Sequence, residues 1–219
     1  MIKAIIFDVD NTILDFLSMK EQCIKATIEA LIDYGLNMDL EEGYKKLSKL
    51  HWEIGIEDNT WISQFLQKNE NKVDNIKLIA GKHAYRKAKL VNLKPYPTVV
   101  PTLIKLIKKG IKLAILSDAP NIKALARLED TNLYHFFDII IPDANKPNVE
   151  GFEKVLKELK VKPSETLMVG DRLCKDYEGA KNANIKFCFA KYGSNEIPPE
   201  DCFVLDRFDQ ILNVIKDIE

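Results

Sequence analysis

The 219-residue sequence has almost no net charge: 32 basic residues face 33 acidic ones, for a net charge of −1. Such a chain lacks the broad basic field that gathers nucleic acid, and no nucleic-acid partner is expected. No apolar run approaches the ~20 residues that span a bilayer, so no membrane association is expected either. The apolar start is broken by Asp8 and Asp10, too early for the apolar segment of a secretory signal. Cysteine is scarce as well: Cys23, Cys174, Cys188 and Cys202 are scattered, without a Cys-x-x-Cys pair. That pattern argues against a disulfide framework or a zinc site and fits free thiols in a reducing cytoplasm. Low-complexity stretches and internal repeats are absent too. A cytoplasmic chain remains, long enough to bury a substantial core and suited to one domain with an insertion.

What is present is a set of short apolar segments, four of which run into polar residues. Ala4-Ile5-Ile6-Phe7 has the β-branched and aromatic character of a buried parallel strand. It stops at Asp8-Val9-Asp10-Asn11-Thr12. Residues 111–116 form a second such run, ending in Ser117-Asp118. Residues 137–141 form a third, followed by Asn145-Lys146-Pro147. The fourth, 166–169, ends in Gly170-Asp171 and leads on to Asp176. A fifth strand is expected at 186–190, with helices at 99–109, 122–129, 149–159, 179–184 and 209–217. In a parallel α/β sheet, ligands bind beyond the carboxyl ends of the strands. Four strand ends here deliver four different polar groups to that edge. Carboxylates at the end of a buried strand are costly to desolvate. A hard divalent cation with a phosphate ligand is one natural compensation.

Between the first and second strands the alternation stops. Residues 19–34, 40–54, 61–68 and 76–90 read as helices, punctuated by Gly35, Gly55, Asn59 and the polar stretch 69–75. Trp52 and Trp61 are expected in the core of this segment, and His51, His83 and Arg86 on solvated helix faces. Lys94-Pro95-Tyr96-Pro97 marks the return to strand and helix.

The ordered set Asp-x-Asp-x-Thr, Ser, Lys and Gly-Asp-x-x-x-x-Asp resembles the four motifs of the haloacid dehalogenase superfamily. The runs Gly170-Asp171-Arg172-Leu173 and Gly179-Ala180-Lys181-Asn182-Ala183 resemble its C1-capped phosphatases of small metabolites. The resemblance implies an α/β fold with a Rossmann-like doubly wound parallel sheet as its core. That core would comprise residues 1–15 and 93–219, with a small α-helical cap domain inserted at 16–92. It also implies a Mg²⁺-dependent phosphatase. Asp8 would be the nucleophile that forms an aspartyl-phosphate, and Asp10 the general acid and then the general base. The Asp8 and Asp171 carboxylates and the Asp10 backbone carbonyl would hold the metal ion. Asp176, behind them, would orient Lys146 or a metal-bound water. Thr12, Ser117, Lys146 and the backbone N–H of Asp118 would hold the phosphoryl oxygens, with Lys146 neutralising the transition state.

Dehalogenase members of the family lack an acid at the position of Asp10, so its presence favours phosphoryl transfer over carbon–halogen cleavage. The expected partner is a small phosphorylated metabolite enclosed beneath the cap, acted on by a monomer or homodimer. Two alternatives stand beside this reading. One is a phosphomutase of β-phosphoglucomutase type, which uses the same residues. The other is a non-catalytic regulatory or binding domain, against which the intact Asp8, Asp10, Lys146 and Asp171 argue.

Overall fold

The apolar segments pair into one parallel sheet, seen here in a computed structural model that describes residues 1–55, 58–200 and 202–218. Its strands are β1 (Ala4–Phe7), β2 (Lys112–Leu116), β3 (Ile139–Ile141), β4 (Thr166–Gly170), β5 (Lys186–Ala190) and β6 (Phe203–Leu205). They lie in the order β3-β2-β1-β4-β5-β6. The strand order therefore reverses at β1, between β2 and β4. That reversal opens a crevice at the carboxyl ends of β1 and β4, the usual ligand position in open α/β sheets. Register makes the point at residue level: Phe7 lies beside Val169 on one side and Ile115 on the other. Asp8 follows Phe7 directly, and Ser117 and Asp171 follow one residue further on, after Leu116 and Gly170.

Both sheet faces are covered, which is why the central strands are apolar on both sides. Ile6, Ala114, Met168 and Phe187 point to one face, against Phe152 and Val155 of α7 (Glu150–Leu159) and Ala180 of α8 (Glu178–Asn182). On the other face Phe7 meets Phe208, with ring centroids 5.5 Å apart, and Phe137 at 6.4 Å. The remaining helices of this unit are α5 (Val99–Lys108), α6 (Asn121–Asp130) and α9 (Ile211–Ile218).

The chain divides into two compact units, Met1–Phe16 with Lys94–Glu219, and Leu17–Leu93. The second unit contains α1 (Phe16–Asp33, which begins one residue earlier), α2 (Leu40–Ile54), α3 (Trp61–Glu70) and α4 (Asn75–Asn92). Ile24, Ile28, Leu31, Leu47, Phe65 and Leu66 form its core. Asp39 and Asp74 cap α2 and α4, each carboxylate accepting two backbone N–H groups. Among the described residues, no helix is long and apolar enough to cross a membrane.

Three local expectations need correction. β6 was not anticipated, because three residues at a sheet edge, two of them half exposed, carry no periodic signal. His51 is fully buried, its ring 4.8 Å from that of Trp61, whereas Trp52 is exposed. The buried face of α2 explains both: Gly43, Leu47, Leu50 and His51 share one helical stripe, and Trp52 falls beside it. The helix expected at 179–184 is preceded by a turn of π-helix at Leu173–Tyr177, which carries Asp176.

Candidate active site

Asp8 follows β1 directly, and its backbone N–H donates to the Val169 carbonyl at 3.0 Å. The chain then turns sharply. Asn11 adopts left-handed backbone (φ 58°), a conformation asparagine tolerates better than most residues. Thr12 is fully buried beyond it, its hydroxyl donating a long 3.4 Å bond to Asp171. A side chain on Gly193 would strike the Asn11 carbonyl, so the loop after β5 must bring glycine here. The neighbouring Tyr192 donates its hydroxyl to the Thr12 carbonyl at 2.7 Å, completing the support of the turn.

β4 supplies the facing wall. Asp171 and Asp176 are both buried. A side chain on Gly170 would overlap the Asp176 carboxylate, so only glycine lets that group lie against the strand end. Both Asp176 oxygens are engaged: Oδ1 accepts from Lys146 Nζ at 2.6 Å, and Oδ2 from the Arg172 backbone N–H at 3.1 Å. Lys146 also donates to Asp8 Oδ1 at 2.6 Å, and its side chain is only 3% exposed. One buried ammonium thus bridges the carboxylates that follow β1 and β4.

The ends of β2 and β3 are tied to this centre by Asp118. Its carboxylate accepts from the Lys146 backbone N–H at 2.7 Å and pairs with Lys175 at 3.0 Å. Ser117 is buried, and its hydroxyl oxygen accepts from the Ala119 N–H at 3.2 Å. Lys146 thus links Asp8 and Asp176 by side-chain bonds, and Thr12 separately bonds Asp171. Asp118 joins them through the Lys146 backbone, and Ser117 is held by its own loop. Asp10 has a different partner. Its Oδ2 accepts from Arg127 Nη1 at 2.6 Å, a partner that the sequence reading missed.

The acidic residues outnumber the cation at the centre. Carboxylate oxygens of Asp8, Asp171 and Asp176 lie within 4.8 Å of one another. Burial pushes the Asp8 carboxyl up to about 7; Lys146 pulls it down, while Asp176 and Asp10 raise it further. Burial pushes Asp171 up to about 9, and the charges of Asp8 and Asp176 add to the rise. Burial alone would lower Lys146, but Asp176 and Asp8 outweigh it and hold the ammonium above the usual lysine range. Three buried carboxylates around one lysine form an all-oxygen donor set with surplus negative charge. That set fits a hard divalent cation.

A pH dependence follows from these shifts. A carboxyl whose folded pKa lies above its unfolded value contributes stability at low pH, and the contribution fades as pH rises through the folded value. For Asp8 and Asp171 the loss spans the range from 3.8 up to about 7 and about 9. A cation bound there would replace those protons, so a divalent cation such as Mg²⁺ should raise the melting temperature more at about pH 8 than at about pH 5. At ~100-fold excess over its Kd the gain is ~2.7 kcal/mol, which amounts to several degrees. Melting curves with and without Mg²⁺ at the two pH values check this; equal shifts would mean that these carboxylates do not take the ion.

The signal for Arg127 was present in the sequence, though faint. It occupies the buried stripe of α6 with Ala124 and Leu128, where an amphipathic helix ordinarily places an apolar residue.

The haloacid dehalogenase-like hydrolase family matches residues 5–190 of the chain. The glyceraldehyde 3-phosphate phosphatase of Methanopyrus kandleri is 33% identical over 230 residues, covering 100% of this chain and 99% of that protein. The enzyme of the same name from Pyrococcus furiosus is 32% identical over 224 residues, covering 98% of this chain and 93% of its own. Among solved structures, the HAD phosphatase from Thermococcus onnurineus superposes with a TM-score of 0.68 at 23% identity, covering 98% of each chain.

Proposed function

The chain belongs to the haloacid dehalogenase-like hydrolase family as a phosphoric monoester hydrolase, and on that premise we propose a Mg²⁺-dependent phosphatase working through an aspartyl-phosphate on Asp8. The observation that carries the reading is the buried Lys146 ammonium held 2.6 Å from both Asp8 and Asp176 at the crevice between β1 and β4. A fixed cation beside a buried carboxylate is what an anionic nucleophile needs in order to meet an anionic phosphate.

In this reading an Asp8 oxygen attacks phosphorus and the bond to the leaving oxygen breaks. Asp10 gives its proton to that oxygen, then takes one from the water that releases phosphate from Asp8. The Ser117 and Thr12 hydroxyls and the Asp118 backbone N–H bind the equatorial oxygens, while Lys146 neutralises their growing charge. Asp176, with both oxygens engaged, orients Lys146. When bound by the Asp8 and Asp171 carboxylates and the Asp10 carbonyl, Mg²⁺ supplies charge that offsets nucleophile against substrate.

The proposed substrate is a small phosphorylated metabolite, with glyceraldehyde 3-phosphate the first candidate because the relatives above carry that name. The phosphatase names of these relatives favour hydrolysis over the phosphomutase alternative. Substrate choice is assigned to the helical unit, residues 16–92 of the sequence reading, which supplies no strand end to the chemistry. Its buried His51 and Trp61 act as core, leaving the exposed His83 and Arg86 as its candidates for selectivity.

A phosphate-release screen over small phosphate esters, with Mg²⁺ and with EDTA, tests the reading. Glyceraldehyde 3-phosphate should rank among the best substrates. EDTA should remove at least ~99% of the rate, and Mg²⁺ should restore it. Activity that survives exhaustive chelation would refute the metal-dependent mechanism.

A further inference from the structure

Arg127 is the buried charge that the proposed chemistry leaves unused. It sits on α6, far along the chain from β1, yet its side chain is only 5% exposed and its guanidinium lies 2.6 Å from Asp10 Oδ2. The same guanidinium lies over the Phe16 ring, 4.3 Å from its centroid. Phe16 is the last residue of the sheet-bearing unit before the chain leaves for the helical one. Desolvating an arginine is costly, and a leucine or methionine would fill a helix–sheet contact at less expense. Packing alone therefore does not account for an arginine in this stripe.

What the position offers is control of a carboxyl. Asp10 stands in a sharp turn beside the left-handed Asn11, where backbone alone leaves a side chain several rotamers. α6 is a firmer base: the Asn121 N–H donates to Asp143 Oδ2 at 2.9 Å at its start, and Thr131 bonds the Arg127 carbonyl at 2.7 Å at its end. A planar guanidinium held by an aromatic face fixes its partner carboxylate more narrowly than an ammonium on a flexible stem. We propose that Arg127 is the positioning residue of Asp10, fixing the orientation of the carboxyl that exchanges the proton with the leaving group. The proposal rests on the phosphatase reading above and adds to it a residue outside the four strand-end motifs.

If Arg127 acts through Asp10, its loss should matter only where Asp10 matters. Arg127→Met should lower kcat on alkyl phosphates at least ~10-fold, within the 10²–10⁴-fold range of general acid–base catalysis. The KM should hardly change. p-Nitrophenyl phosphate, whose leaving group scarcely needs a proton, should lose less than ~3-fold. Arg127→Lys keeps the charge without the fork and should fall between wild type and Arg127→Met on alkyl esters. The decisive arm is the double variant. Arg127→Met added to Asp10→Asn should cost nothing further, because contacts that work as one unit are non-additive.

Equal losses on both ester classes, or a multiplied loss in the double variant, would overturn the proposal and leave Arg127 a structural residue. If Asp10→Asn itself shows no leaving-group dependence, the acid role fails and the positioning role with it. If Asp10→Asn shows that dependence and Arg127→Met does not, only the positioning role fails.

Discussion

Asp8→Asn is expected to reduce turnover of every phosphate ester by ~10³-fold or more while leaving the protein folded. The substitution keeps the shape of the side chain and removes the oxygen that attacks phosphorus in the proposed mechanism, and nucleophile loss is among the most damaging single changes known in enzymes. Stability should move the other way or not at all. Burial pushes the Asp8 carboxyl up to about 7, so at higher pH the native state carries a charge it holds poorly. A neutral amide avoids that desolvation. Without metal, the Asn variant should therefore melt no lower than wild type at about pH 8. Steady-state rates and melting curves on the same preparations check both halves. A variant retaining more than a few per cent of wild-type rate would remove Asp8 from the mechanism.

Lys146→Met should damage both properties. Lys146 bonds Asp8 and Asp176 at 2.6 Å each, and Asp8 and Asp171 already sit at raised pKa values. Removing the ammonium leaves buried carboxylates facing one another, which costs about 3–5 kcal/mol when one partner of a buried pair is lost. Mg²⁺ should recover part of that stability, since it supplies charge at the same place. It should not recover the rate, because the cation that the proposed mechanism sets beside the equatorial oxygens would be gone; a ~10²–10³-fold loss of kcat is expected for one such group. Melting temperatures and kcat with and without Mg²⁺ separate these effects. Full activity in Lys146→Met at saturating Mg²⁺ would contradict the role given to the lysine.

The legible parts of the molecule were those where chemistry and periodicity coincide. A buried parallel strand is an unbroken apolar run, so its end is marked by the first polar residue, and Asp8, Ser117 and Asp171 could be placed that way. A doubly wound parallel sheet was implied by the family resemblance, and with it the meeting of those ends at one edge. Other features depend on contacts that no local pattern encodes. β6 is too short to have a period. The stripe through Gly43, Leu47, Leu50 and His51 could have been traced, but one polar member made it look like a solvated face. Arg127 is the same case on α6, a charge in an apolar stripe whose partner lies 117 residues earlier at Asp10. The loop carrying Tyr192 and Gly193 supports the Asp10–Thr12 turn at its carbonyls, one accepting the Tyr192 hydroxyl and one lying against Gly193, and carbonyl partners leave almost no mark in the sequence.

The most direct test is capture of the proposed covalent intermediate. Wild-type protein with Mg²⁺ is mixed with glyceraldehyde 3-phosphate, quenched in acid within a single turnover, digested and analysed by mass spectrometry. A phosphoryl group should appear on the peptide carrying Asp8, rise and decay with turnover, and be absent from Asp8→Asn and from samples quenched with EDTA present. Steady hydrolysis without any phosphoryl group on that peptide, or with one on a different residue, would contradict the account.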